Sequence, residues 1–554
     1  MVVTEARVVS FTTSVASHTS RSFMHHPPCI LSSLQTSPPH TMKQNKLSIK
    51  SVAFRDKVPI QIDPGKKKLE QVKRSSQETL LNSSDPTKTL KIIDIIQRLG
   101  IGHHFEEEIN VKLGKISVPL LFNFDCSDIM AAMFLLVHSS ATLGYSYSKF
   151  LDHSGNFKES ITSDIWGMLS MYEASYLGAK GEEVLQQAMD FSSAHLQQSL
   201  PLLSPDVGNH VVRALKLPRH LRMSRLEARN YIEEYSHVSS KMPYLLEMAK
   251  IDNAMVQSMH QKELADISRT WDLLKALVLQ EINQEKPCYS NCRIELAKTI
   301  CILLVMDDIF DTYGTLDELV LFTEAIKRWD LDAMEQLPEY MKISYLALYN
   351  TTQEIACRIQ MEQGQTVLSC LKRTWIDIFE AFLKEAKWFS NKYVPTFQEY
   401  LANGVISSGS YMALVHATFL IGDGISKETI STMNPYPRLF SCSGEILRLW
   451  DDLGTSREEQ ERGDNACSLQ CLMTDNNISD ENVARKEIRG FIRNLWPELN
   501  SLALTTTSLP FSVIKASLNM ARTSQVIYQN GDDQNTFTVD DYVQTLLFTP
   551  ALNY

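Results

Sequence analysis

A chain of 554 residues is long enough for two substantial folded units and a short tail. Its 44% hydrophobic and 21% charged residues are ordinary for a globular protein, and a net charge of −11 argues against a nucleic-acid surface. No apolar run reaches the roughly 18–20 residues that span a bilayer, so an anionic partner would have to be met locally, by metal ions or a few placed arginines. Gly (21) and Pro (20) are sparse and helical periodicity dominates, which predicts an all-α fold. The ten cysteines show no disulfide or zinc framework, because Cys288/Cys292 and Cys467/Cys471 have no matching ligand pair nearby.

Residues 1–52 carry no packed helical stripe. The first fifty hold fifteen Ser/Thr and five Lys/Arg against a single acid, Glu5. This composition predicts a disordered organellar transit peptide; the alternative is an untargeted tail with initiation at Met42. Residues 53–245 read as an N-terminal helical unit. LKIIDIIQRLGIGHHFEEEI sets Ile92, Ile93, Ile96 and Leu99 on one stripe that ends near Gly100. SDIWGMLSMYEASYLG and GEEVLQQAMDFSSAHLQQSL continue as paired helices with glycine at their joints. His103 and His104 precede an acidic helix start and read as satisfied surface or core residues. No convergent chemistry is visible in this unit. Pro243 can open a helix near the junction, and residues 246–554 form a second helical unit. That unit holds six of the seven tryptophans, aromatic material for a pocket.

The stretch CILLVMDDIFDTYGTLDEL sets Asp307, Asp308 and Asp311 against an apolar run. On a helix Asp307 and Asp311 share a face one turn apart, where they repel and lose solvation. Hard divalent cations with oxygen ligands would relieve both costs; alone, the motif is equally an acidic helix end. The second cluster, ILRLWDDLGTSREEQERGD, changes the balance. Asp451, Thr455 and Glu459 recur at i, i+4 and i+8, so three oxygen ligands line one helix face. A neutral hydroxyl between two carboxylates ligates a cation without adding charge. Arg448, three residues before Asp451, can hold an anion beside it.

With both motifs in view, the chain resembles the class I terpene synthases of plants. DDIFD and DDLGTSREE carry the resemblance, with the flanks YGTLDELVLFTEAIKRWD, ISYLALYNTTQEI, EAKWF and ARTSQVIYQNGDD, over roughly residues 80 to 554. No Arg-Arg pair followed by Trp stands near the N-terminus. That absence, with RIELAKTICILL and NGVISSGSYMALVHATFLIGDG, is similar to the linalool and nerolidol synthases. The resemblance implies a C-terminal α-bundle of the class I terpenoid synthase type and a relict N-terminal α-barrel domain. It implies three Mg²⁺ ions, or Mn²⁺, held by Asp307 and Asp311 on one wall and by Asp451, Thr455 and Glu459 on the other. Asp307, Asp308 and Asp311 then form the catalytic motif, Arg448, Asp452 and Arg462 the diphosphate side, and Tyr528 part of the pocket lining. The substrate is a prenyl diphosphate, geranyl or farnesyl, ionised and captured by water as linalool or nerolidol. A monomer without nucleic-acid or membrane partner is expected, in the plastid, with cytosol or mitochondrion as alternatives.

Three features depart from the family pattern. The Arg-x-Arg motif is missing, leaving only Arg269 and Arg293 in SRTWDLLKALVLQEINQEKPCYSNCRIELAKTI. The stretch between Trp271 and Pro287 is short by about one helix, some 20 residues. A family lysine near RGD is replaced, the matching position being Cys467. The competing expectation is therefore a splice form or truncated product with impaired catalysis. A chain-elongating prenyltransferase is disfavoured, because Thr455 stands where a second Asp-Asp-x-x-Asp would need aspartate. Protonation-initiated cyclisation is disfavoured too, as no Asp-x-Asp-Asp occurs in the N-terminal unit.

Overall fold

The computed structural model describes residues 64–115, 147, 150–238, 242–267, 289–462, 466–529 and 539–551. Residues 1–52 and the stretch from Trp271 to Pro287, expected to be short by about one helix, lie outside these residues, as does Arg269. Helices build the described residues, joined by short turns and one isolated bridge between Leu151 and Phe157.

The N-terminal helices are α1 (Pro64–Asn82), α2 (Pro86–Arg98), α3 (Glu106–Leu113), α4 (Ile165–Ser175), α5 (Glu183–Ser199), α6 (Pro205–Lys216), α7 (Ser224–His237) and α8 (Pro243–Ile267). Local chemistry sets their ends. Asp85 caps α2 by accepting from the amides of Thr87 and Lys88, with Pro86 at the first helical position. Asp164 caps α4 through the amide of Gly167. The stripe Ile92, Ile93, Ile96 and Leu99 is buried, packed with Ile101, Phe105, Tyr231 and Ile232. The stripe ends at Gly100, where the spacing placed its end; the chain then turns through a 3₁₀ segment at Gly102–His104 and restarts as α3. Gly100 has φ +75°, and a Cβ there would meet Ala228 Cβ of α7 at 2.7 Å, so only glycine lets the turn approach α7.

The interior of this unit is more polar than its sequence suggests. Arg222 pairs with Glu227 (2.7 Å) and Glu173 (3.3 Å), Arg219 with Asp94, and Arg213 with Glu234. Arg98 joins Glu227 and lies 3.8 Å over the Tyr231 ring. Helix periodicity marks apolar faces and is silent on such pairs, because each partner comes from a different element.

The C-terminal helices are α9 (Ser290–Asp308), α10 (Leu316–Arg328), α11 (Glu339–Gln363), α12 (Leu368–Asn391), α13 (Phe397–Ser407), α14 (Ser410–Ile421), α15 (Lys427–Ser431), α16 (Arg438–Arg462), α17 (Ser468–Asn476), α18 (Glu481–Thr505), α19 (Phe511–Tyr528) and α20 (Val539–Val543). Helix α16 is central, packed on α13, α14, α18 and α19. Phe397–Ile421 is long and apolar enough to cross a membrane, with a mean hydropathy of 1.4, but 78% of that window is buried inside the protein. It is two core helices, α13 and α14, jointed at Ser408–Gly409.

The two sets of helices share material. Helix α8 opens at Pro243, and its residues Leu245–Ile251 pack with the α2 stripe. Further along, Glu263 holds Arg293 of α9 through two bonds of 2.6 and 2.8 Å. Arg293 is 1% exposed, half of a core ion pair.

Candidate active site

Helix α9 is apolar on most of its circumference and buries Leu296, Ala297, Cys301, Ile302, Leu303, Val305 and Met306. Burial fixes the helix, and its C-terminal end delivers Asp307 and Asp308. The α-helix stops at Asp308 and continues as one π turn, Ile309–Tyr313, closed by the Gly314 amide bonding Ile309 oxygen at 2.8 Å. Ile309 and Phe310 are buried in this turn. Phe310 packs against Phe379 and Phe382, centroids 5.3 Å away in both cases, and against Phe322 at 6.4 Å. The apolar pair inside DDIFD thus anchors the turn, leaving Asp307 half-buried and Asp311 exposed.

Electrostatics bring the acidic motifs to one place. The Asp307 carboxyl is pushed well above the usual carboxylate range, first by burial, then by the charges of Asp311, Glu385 and Asp308. Arg448 opposes these effects. Asp451 is raised too, chiefly by burial, against the opposing pull of Arg448 and a hydrogen bond from the Tyr528 hydroxyl. Tyr528 feels both Asp451 and Asp307, so both motifs lie within electrostatic reach of Arg448 and Tyr528. Oxygen donors in excess of positive charge are a set that suits hard divalent cations rather than thiolate-seeking ones.

Helix α16 presents the second motif. Arg448 reaches Asp451 at 3.4 Å and also pairs with Asp452. The Thr455 hydroxyl donates to the Asp451 carbonyl at 2.9 Å, on the same helix face as Asp451. Glu459 and Arg462 continue α16, and their side chains lie outside the described residues. Gly454 faces Tyr528: a Cβ there would meet Tyr528 Cδ1 at 2.9 Å and Cβ at 3.0 Å. That close approach sets the Tyr528 hydroxyl on Asp451.

Two expectations need correcting. Asp452, assigned to the diphosphate side, is fully buried and accepts from Tyr400 Oη (3.0 Å), the Ser468 amide (2.9 Å) and Arg448. It ties α16 to α13 and to the start of α17, and a buried carboxylate offers an anion no contact. The tryptophans of this unit do not collect at one pocket either. Trp450 and Trp496 sit in one core cluster, Trp329 and Trp375 in a second and Trp388 in a third, while Trp271 lies outside the described residues.

Glu385 of α12 is the residue that sequence reasoning missed. It is half-buried, accepts from Asn403 (2.8 Å) and Ser407 (2.7 Å), and opposes the charge of Asp307. A single glutamate in EAKWF has no spacing signal of its own. Packing of α12 against the π turn Ile309–Tyr313 makes it part of the cluster.

Comparison with known proteins gives the following. Residues 41–215 match the terpene synthase N-terminal domain, and residues 282–498 match the terpene synthase family metal binding domain. A Ricinus communis protein named "Probable terpene synthase 11" is 53% identical over 501 residues, 87% of each chain. Two Ocimum basilicum proteins follow: chloroplastic geraniol synthase at 46% (87% of this chain, 86% of that one) and chloroplastic R-linalool synthase at 44% (88% and 86%). The crystal structure of grey poplar isoprene synthase, in complex with three Mg²⁺ ions and dimethylallyl-S-thiolodiphosphate, superposes with a TM-score of 0.83. It is 33% identical, covering 88% of this chain and 97% of that one.

Proposed function

The chain belongs to the terpene synthase family, with the class I terpenoid synthase fold and an N-terminal domain, and from that membership we propose that it converts a prenyl diphosphate into an acyclic tertiary alcohol. The carrying observation is the meeting of Asp307, Asp311 and Asp451 around Arg448 and Tyr528, more negative charge than one guanidinium balances. In this reading Asp307 and Asp311 hold Mg²⁺ on one wall, and Asp451, Thr455 and Glu459 hold it on the other, three ions in all. When bound, the ions supply the Lewis acidity that neutralises charge on a leaving diphosphate. Arg448 adds a fixed cation beside Asp451, where the anion gathers. Asp308 and Glu385 add to the field that raises Asp307. The Phe310–Phe322–Phe379–Phe382 cluster holds the motif rigidly and keeps water from its back. No protein nucleophile is needed, since an allylic C–O bond ionises once its leaving group is stabilised.

Geranyl diphosphate to linalool is the favoured reaction, with farnesyl diphosphate to nerolidol as a second activity. The R-linalool relative supports the tertiary alcohol, and the geraniol relative shows how close a primary alcohol lies in sequence. Relatives named chloroplastic, together with the Ser/Thr-rich leader, support a plastid location, and the same reading takes the chain as a monomer whose catalytic unit begins near residue 246. A second reading, weakened turnover, rests on the shortened stretch after Arg269. The match to the Ricinus protein runs over 501 residues, more than the 87% of a 554-residue chain that it takes in, so it spans positions with no counterpart here.

The test is incubation of purified full-length chain with geranyl or farnesyl diphosphate and Mg²⁺, followed by analysis of volatiles and released diphosphate. Linalool from geranyl diphosphate is expected. Geraniol as the main product would move the water-capture site, and longer diphosphates on adding isopentenyl diphosphate would point to chain elongation. A folded, monodisperse sample with no turnover would leave the weakened form standing.

A further inference from the structure

The pair His103–His104 plays no part in the reaction proposed above, yet the fold gives it a defined geometry. Ile101 and Phe105, both fully buried, pin the 3₁₀ turn at either end. The two imidazoles between them lie side by side, ring centroids 4.0 Å apart. Both aim at one oxygen of Asp252 on α8: His103 Nε2 is 3.3 Å and His104 Nε2 2.8 Å from Oδ1. The three ligand atoms all lie within 4.8 Å of one another. The other oxygen, Oδ2, takes Arg225 at 3.4 and 3.5 Å, which fixes the plane of the carboxylate.

A structural tie from the turn to α8 would need one histidine. Two imidazole nitrogens converging on a single carboxylate oxygen are the donor set of an N₂O metal site. We propose that His103 Nε2, His104 Nε2 and Asp252 Oδ1 bind one divalent transition-metal ion, with Zn²⁺ the best fit. Bond lengths of about 2.0–2.2 Å in a tetrahedron put ligand atoms roughly 3.4 Å apart. The His103–Asp252 spacing already matches, and the His104–Asp252 spacing needs about half an ångström of opening. Asp252 is 6% exposed and the imidazoles 12% and 18%, which leaves the fourth position open to water on the outer side. Three glutamates, Glu106–Glu108, follow in the first turn of α3. Mg²⁺ is a poor occupant, because it prefers six oxygens. The bound ion would staple the turn to α8 and take no part in ionising the diphosphate.

The test uses full-length chain stripped by chelator, then held in millimolar Mg²⁺ with inorganic diphosphate to fill the Asp307 and Asp451 carboxylates. Titration with ZnCl₂ and CoCl₂ should show one further ion per chain. The Co²⁺ d–d bands should be those of a low-coordinate site, without the near-ultraviolet sulfur charge-transfer band that thiolate binding would give. Zn²⁺ should raise the Tm. His103→Gln keeps a donor for Asp252, so its Tm in chelator should match wild type while Zn²⁺ affinity falls at least tenfold. No further ion in the wild-type chain, a thiolate spectrum, or equal Zn²⁺ affinity in His103→Gln would each overturn the site.

Discussion

Asp307 is held where burial, Asp311, Glu385 and Asp308 all oppose its charge, with Arg448 relieving it. Without metal that arrangement destabilises the fold, since a desolvated carboxylate among its like is costly. Asp307→Ala should therefore lower turnover by about 10²-fold or more, the scale of losing one preorganised electrostatic partner. Far-UV circular dichroism should be unchanged, and the metal-free Tm equal to wild type or higher. Full activity in this variant, measured by diphosphate release, would remove Asp307 from the metal wall. Spacing made the acidic motifs legible because oxygen ligands on one helix must recur every turn. It could not separate Asp451 from Asp452. Neighbours on a helix diverge by about 100°, so one faces the cluster and the other faces Tyr400 and the Ser468 amide. Glu385 was illegible for a different reason: its place depends on how α12 packs, which no local pattern encodes.

At the scale of elements, the approach of α16 to α19 decides how Asp451 is held. Gly454 makes that approach possible, and Tyr528 fills the space a side chain would occupy. Gly454→Ala forces a Cβ against Tyr528 at 2.9–3.0 Å, with Tyr528 Cα only 3.3 Å away, so rotation of the ring alone gives no relief. We expect a loss of about 1–3 kcal/mol in denaturant unfolding, typical of overpacking, and a larger fall in turnover than in stability as the hydroxyl leaves Asp451. A variant as active and stable as wild type would show that the helices slide freely at this point. Helix stripes and caps such as Asp85 and Asp164 were readable locally, because each depends on residues within one turn. The π turn that closes α9 was not. Its cause is tertiary, the insertion of Phe310 among Phe322, Phe379 and Phe382.

Across the whole molecule, ties between the two sets of helices make local ionisations count globally. Asn500 of α18 holds the carbonyls of Tyr176 and Gly178 at 2.9 and 3.0 Å and His220 Nε2 at 2.8 Å, while Arg522 of α19 donates to the His220 carbonyl at 2.6 Å. With such contacts the chain should unfold in one cooperative step, so each buried titration enters one stability curve. Burial pushes His416 of α14 and His210 of α6 down to about 4 from an ordinary 6.5, His210 with added repulsion from Arg98 and Arg213. Between those values the unfolded chain binds protons that the folded chain refuses. Stability from these groups is therefore whole above about pH 6.5 and falls as pH drops toward 4. Arginine and histidine neighbours hold the carboxyls of Glu227 and Asp252 below the usual range despite their burial, so their contribution is lost at still lower pH. His416 is the cleanest probe. It is fully buried, Nδ1 lies 2.9 Å from the Met412 carbonyl it donates to, and Nε2 meets no acceptor among the described residues. A proton added at Nε2 would be stranded beside Trp375. At pH 5 its share of the lost stability is about 2 kcal/mol, one and a half pKa units at the usual conversion. Denaturant unfolding at pH 7.5 and pH 5 should thus show a marked drop for wild type and a smaller one for His416→Gln, whatever the variant's absolute stability. Equal drops would mean that the imidazole is reached by water and titrates as it does in the unfolded chain.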